Sequence, residues 1–146
     1  MKKWSWLLLG GLGVLCLGFG ALQLVPYGRK HTNPPVVQEP QWNTPETRAL
    51  AQRTCFDCHS NETVWPWYSN VAPVSWLIQR DVEEGRSRLN FSEWNEHQNT
   101  KMDLIAPGVI QAGIMPPTQY LTLHPEANLS EEEKLTLMDG FSQSLK

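Results

Sequence analysis

Apolar residues fall along this chain in three regimes. From Trp4 to Val25 they run for 22 positions without a charge. From Arg29 to Asn43 they thin out among prolines, and from Thr44 onward they return at helical spacing. As a helix the first run would rise about 33 Å, against a hydrocarbon core of roughly 30 Å. Lys2 and Lys3 precede it, and Trp4, Trp6 and Tyr27 sit at its ends, where amphipathic rings favour the interface. Residues 1–28 are therefore expected to be a signal-anchor transmembrane helix. Phe19-Gly20-Ala21 puts a large side chain where a cleavage site requires a small one, so retention is expected. Cys16 lacks the small preceding residue of a lipoprotein site and reads as an apolar helix residue.

Residues 29–43, with Pro34, Pro35 and Pro40, predict an extended linker or stalk. The domain proper, 44–146, opens on Thr44-Pro45-Glu46, an N-cap hydroxyl followed by proline and an acid in the first turn. A second helix is expected from Ala72-Pro73-Val74, with Trp76, Leu77, Ile78 and Val82 on one side and Gly85 as a left-handed stop. Ser92 is read as the cap of a short helix over 91–96. A further one covers Met102 to Ala112, interrupted by Pro107-Gly108. Ser130-Glu131-Glu132-Glu133 is a capping box with apolar Leu135, Leu137, Met138 and Phe141 behind it. No stretch alternates β-branched and polar residues between hairpin turns. The expected fold is a small all-α domain with long loops, preceded by one transmembrane helix.

Charge narrows the function. The chain of 146 residues has a net charge of −3, but residues 44–146 hold 14 acidic residues against eight Lys and Arg, about −6. A surface of that sign argues against nucleic acid, which demands basic residues in excess to displace counterions.

The chemistry sits in Cys55-Phe56-Asp57-Cys58-His59, the C-x-x-C-H arrangement of covalent haem attachment. Two thiols three residues apart can reach the two vinyl groups of one porphyrin, and the adjacent imidazole then falls under the iron, making His59 the proximal ligand. Competing readings are a zinc site, a thioredoxin-like dithiol and a plain disulfide. Zinc would require two further ligands, whereas His97 and His124 are single; the dithiol would want a βαβ setting and no His59. For the other axial position the candidates are Met102, Met115, Met138, His97 and His124. Met115 is preferred, because Pro116-Pro117 stiffens a loop that can hold the thioether out. Met138 reads as packing, His97 as a solvated residue, and His124 as the rival if ligation is bis-histidine.

The runs CFDCHSNETVWPWYSNVAPVSW, VEEGRSRLNFSEW and IMPPTQYLTLHPEANLSEEE resemble, in that order, the bacterial haem-binding domain family of cytochrome c-like proteins. The resemblance covers about Thr44 to Phe141. It implies haem attachment at Cys55, Cys58 and His59, and Met115 as the distal ligand. Trp65, Trp67 and Tyr68 would suit the walls of a haem pocket, and Arg86 has the fork to pair with a propionate or a nearby acid. The expected protein is a membrane-anchored monohaem c-type cytochrome at the inner membrane. It would face the periplasm, pass single electrons to redox partner proteins such as a membrane oxidoreductase, and catalyse no reaction of its own. The alternative is a haem-based sensor whose distal position opens to a small ligand.

Overall fold

The computed structural model describes residues 2–97 and 101–146, with the backbone alone for Lys2–Ser5, Glu96 and His97. The side chain of His97, a candidate ligand above, lies outside the described residues. Among the described residues the regular structure is helical, as expected, and the one β feature is an isolated parallel bridge between Gln38 and Glu93. The chain divides into two units, Met1–His31 with Trp65–Asp81, and Thr32–Val64 with Val82–Lys146.

In the first unit, α1 spans Lys2–Leu22. Here the sequence expectation fails: among the described residues no helix is long and apolar enough to cross a membrane. The described side chains of α1 run from Trp6 to Leu22, a rise of about 25 Å against a hydrocarbon core of roughly 30 Å, and they include Gly10, Gly11, Gly13, Gly18 and Gly20, which add little hydropathy. The transmembrane anchor, and with it the inner-membrane location facing the periplasm, is not borne out. Beyond α1, the Gln23 amide donates to the Ala72 carbonyl (2.9 Å) and accepts from the Ala72 N–H (3.0 Å). Gly28 has φ +81°, and a β-carbon there would overlap the Ser75 carbonyl.

The second unit is built on α2 (Pro45–Thr54), α3 (Phe56–His59), α5 (Trp94–His97), α6 (Met102–Gln111), α7 (Thr118–Leu123) and α8 (Glu131–Ser144); α4 (Val74–Arg88) begins in the first unit and ends in this one. The two helix starts read most directly from sequence are present. Thr44 Oγ1 accepts from the Thr47 N–H at 3.1 Å, and Ser130 and Glu133 form the reciprocal capping box. Helices α6 and α8 pack together, and α2 lies against α8. Gly140 makes that second contact possible, since a β-carbon there would stand 2.9 Å from Thr47 Cβ. The core is an aromatic cluster in which Phe91, with no exposed surface, stacks on Phe56 at 5.5 Å and meets Phe141 at 5.7 Å and Trp42 at 5.3 Å.

Three sequence expectations are modified. Pro107 does not interrupt α6, which runs through it. Proline removes one interior hydrogen bond, and burial of Ala106 and Ile110 outweighs that loss. Ser92 does not cap a helix; its hydroxyl accepts from the buried Asn61 N–H at 2.9 Å, and α5 begins two residues later. The proline-rich stretch is extended, as expected, but from Thr32 it is bound to its own unit. The Val37 and Gln38 N–H groups donate to the Ser92 carbonyl, Trp94 N–H donates to the Gln38 carbonyl, and Trp42 enters the core. Glu39 holds Arg48 of α2 through two charge-assisted bonds of 2.7 and 2.6 Å. At the end of this stretch the Asn43 N–H donates to Ser144 Oγ of α8 at 2.9 Å.

Candidate functional site

Cys55 is the hinge between two helices. Its N–H donates to the Ala51 carbonyl of α2 (2.8 Å), and its own carbonyl accepts from both Cys58 N–H (3.2 Å) and His59 N–H (2.9 Å), which winds α3 as a single turn. That turn brings Cys55 and Cys58, three positions apart, to one side, and no disulfide joins them. Cys55 is partly buried against the core, and loss of solvent pushes its thiol up to about 11, so the sulfur is protonated at neutral pH.

His59 is oriented by helix α4. Its Nδ1 stands 3.1 Å from the Gly85 carbonyl and 3.1 Å from the Leu89 carbonyl. Carbonyls only accept, so Nδ1 carries the proton and shares it between them, leaving the lone pair on Nε2. Burial holds the imidazole pKa below its ordinary value, against a smaller opposite pull from the two carbonyls. The ring is therefore neutral, with one nitrogen fixed by the fold and the other available to a metal, the arrangement usual for a ligating histidine.

Gly85 has a different task from the one its sequence setting indicates. It does not stop α4, which continues to Arg88; it lets the helix touch the cysteine segment. A β-carbon at 85 would stand 2.9 Å from the Cys58 carbonyl carbon and 3.1 Å from Cys58 Cβ. The segment after His59 is held by a buried polar network that sequence reasoning missed. Asn90 Nδ2 donates to Asn61 Oδ1 (2.9 Å), Ser92 N–H to Asn90 Oδ1 (3.0 Å), and Phe91 N–H to the His59 carbonyl (2.8 Å). Arg86 ties neighbouring segments of its own unit together. Its guanidinium donates to the carbonyls of Ser60 (2.7 Å) and Thr32 (2.9 Å), to Asn33 Oδ1 (3.0 Å) and to Thr63 Oγ1 (2.9 Å).

Between the two cysteines, the Asp57 carboxylate accepts from the Val64 N–H at 2.9 Å and from the Tyr120 hydroxyl at 2.8 Å. Tyr120 belongs to α7, directly after the Met115-Pro116-Pro117 loop, and its ring stacks on His124 at 4.2 Å. His124 Nδ1 in turn pairs with Glu126 at 3.1 Å. Met115 lies on the loop after α6, where the Ile114 and Met115 N–H groups donate to the Val109 carbonyl. It lines a cavity of about 100 Å³ with Ile110, Pro116, Leu121, Leu129 and Lys134. Met102 and Met138 both pack against the core.

Trp65, Trp67 and Tyr68 belong to the first unit. Trp65 stacks on His31 at 4.4 Å, while Trp67 is 79 % exposed and meets Tyr68 edge-on at 5.8 Å. The one turn of α3 thus collects Cys55, Cys58 and His59, and the Tyr120–Asp57 bond links that turn to the element following Met115.

Among the described residues no group of three or more His, Cys, Asp or Glu side chains is arranged to hold a bare metal ion. Two unbridged thiols on one side of a turn, beside a neutral imidazole with its Nε2 lone pair uncommitted by the Nδ1 bonds, suit a porphyrin-held iron. A haem-binding domain family model matches residues 17–143. No curated protein matches the chain, and neither does a solved structure. A match over most of its length, together with this donor set, makes the chain a member of the haem-binding domain family, with haem and its iron as the ligand.

Proposed function

We propose that this domain would carry one haem bound through thioethers from Cys55 and Cys58, with His59 and Met115 holding its iron, and would serve as a one-electron carrier between partner proteins rather than as an enzyme. The observation that carries the reading is the commitment of His59 Nδ1 to the Gly85 and Leu89 carbonyls, which leaves Nε2 for iron one residue from a thiol. The bound group would supply an iron that gains and loses one electron. The chain's own part is to fix the imidazole tautomer, to keep the ring neutral by burial and to tie the cysteine turn to α4. With His59 and Met115 both holding the iron, its potential would be raised relative to harder ligand sets and no substrate would be needed. The acidic surface of the domain favours a partner with a basic docking face, with an encounter rate that falls as salt rises.

A haem stain after denaturing electrophoresis tests attachment. The wild-type chain, matured in a host that assembles c-type haem, should keep its stain, and Cys55→Ala with Cys58→Ala should lose it; a stain persisting in the double variant would refute thioether bonding. Axial closure is tested by carbon monoxide. Slow and partial binding to the reduced wild type, becoming fast and complete in Met115→Ala, fits the carrier. Immediate, complete binding to the wild type would instead favour the small-ligand sensor.

A further inference from the structure

Helix α7 follows the Met115-Pro116-Pro117 loop at once, and one polar side chain from it reaches the cysteine turn. The Tyr120 hydroxyl donates to Asp57 Oδ2 at 2.8 Å, while Asp57 Oδ1 is occupied by the Val64 N–H at 2.9 Å. Asp57 lies between the two cysteines, so this bond joins the turn that bears His59 to the helix that begins three residues after Met115. The phenol is also clamped from behind, because its ring stacks on His124 with an interplanar angle of 11°, and His124 is paired with Glu126. Nothing in the local sequence of α7 demands a tyrosine for helix formation; the helix has six residues and none is fully buried.

We propose that Tyr120 is a positioning residue for the distal ligand: through Asp57 it holds the start of α7, and so the Met115 loop, against the turn that bears His59. The inference rests on the reading of Met115 as the iron ligand and adds the group that keeps it in place. Burial and the neighbouring Asp57 carboxylate both push the phenol's pKa up, so Tyr120 stays a proton donor across the working pH range. A hydrogen bond to a carboxylate that is lost from a partly buried site changes a local equilibrium by roughly tenfold or more.

The test uses the haem-loaded full-length chain as wild type, Tyr120→Phe, Asp57→Ala and Asp57→Asn. The Asn variant can keep both contacts, with its carbonyl on the Val64 N–H and its amide donating to the phenol oxygen. The readout is the methionine-to-ferric-iron charge-transfer band and the pH at which it disappears. Tyr120→Phe and Asp57→Ala should keep the haem stain while the band disappears at a pH lower by about one unit or more, matching the tenfold change; Asp57→Asn should restore most of the difference. An unchanged band and midpoint in Tyr120→Phe would overturn the proposal. Met115→Ala separates the two readings. Should the wild type show no such band, or Met115→Ala retain it, the ligand assignment fails, and the positioning role is then read from amide hydrogen exchange across Thr118–Leu123. Tyr120→Phe must speed that exchange by about tenfold, and equal rates would sink the role.

Discussion

Gly85 and Cys58 touch backbone to backbone: a β-carbon on residue 85 would stand 2.9 Å from the Cys58 carbonyl carbon. Alanine at this helical position would gain about 1 kcal/mol of propensity over glycine, but relief of the clash means moving the α4 backbone off the cysteine turn. Gly85→Ala should therefore be destabilising by about 1–3 kcal/mol, the usual range for overpacking. It should also shift the reduction potential, because the Gly85 carbonyl is one of the two acceptors for His59 Nδ1. Chemical denaturation and a redox titration check the two effects, and a stabilised variant with an unmoved potential would refute the contact.

The Glu39–Arg48 pair gives the domain an acid-sensitive fastening. The hydrogen-bonded Arg48 guanidinium, helped by the Trp42 indole N–H, holds the Glu39 carboxyl below its ordinary pKa, and burial opposes this less strongly. Folding therefore gains from the ionised form. That gain is complete above the unfolded value near 4.5 and disappears as pH falls through the lower folded value. Glu39→Gln should cost about 1 kcal/mol at pH 7, and the difference between the two proteins should shrink progressively as pH falls below 4.5, as read by thermal melts at a series of pH values. Equal melting temperatures for the two proteins at pH 7 would count against it.

Pro107 sits inside α6 with no N–H to offer the Asp103 carbonyl. Replacing it by alanine restores an interior hydrogen bond and should stabilise the fold by about 1–2 kcal/mol, the helix gain being offset in part by a more flexible unfolded chain. A lower denaturation midpoint in Pro107→Ala would mean that the ring itself is needed for packing.

Arg86→Lys keeps the charge but has three N–H donors on one nitrogen for the four acceptors that the guanidinium satisfies. A loss of about 2–3 kcal/mol is expected, since the Ser60 carbonyl and the Thr63 hydroxyl would be left without their donor. Arg86→Met should cost at least as much. Denaturation midpoints for both variants check the ranking, and a Lys variant as stable as the wild type would show that the guanidinium fork is not required.

What could be read from sequence was local. Thr44-Pro45-Glu46 and Ser130-Glu131-Glu132-Glu133 each carry the chemistry of a helix start within four residues, and both starts are found. The spacing of Cys55, Cys58 and His59 likewise contains its own geometry. A glycine late in a helical pattern looks the same whether it ends the helix or admits a neighbour, and the neighbour of Gly85, Cys58, lies 27 positions earlier. Trp42 looked like part of a proline-rich stalk because its ring partners, Phe91 and Phe141, come from far along the chain. Tyr120 and Asp57, 63 positions apart, gave no local sign of each other. The N-terminal anchor reads from an uncharged apolar run with lysines before it and aromatic rings at its ends, yet no helix among the described residues is long and apolar enough to cross a membrane.

The bond between Asn43 and Ser144 spans 101 positions. Since the backbone amide at Asn43 waits for a hydroxyl in the last turn of α8, a ribosome releasing the chain in order leaves the aromatic core without its final wall until residue 144 has emerged. Closure of the domain thus waits on partners far apart in the chain rather than on neighbours, and loss of the last turn of α8 should be felt at Asn43, where the domain begins.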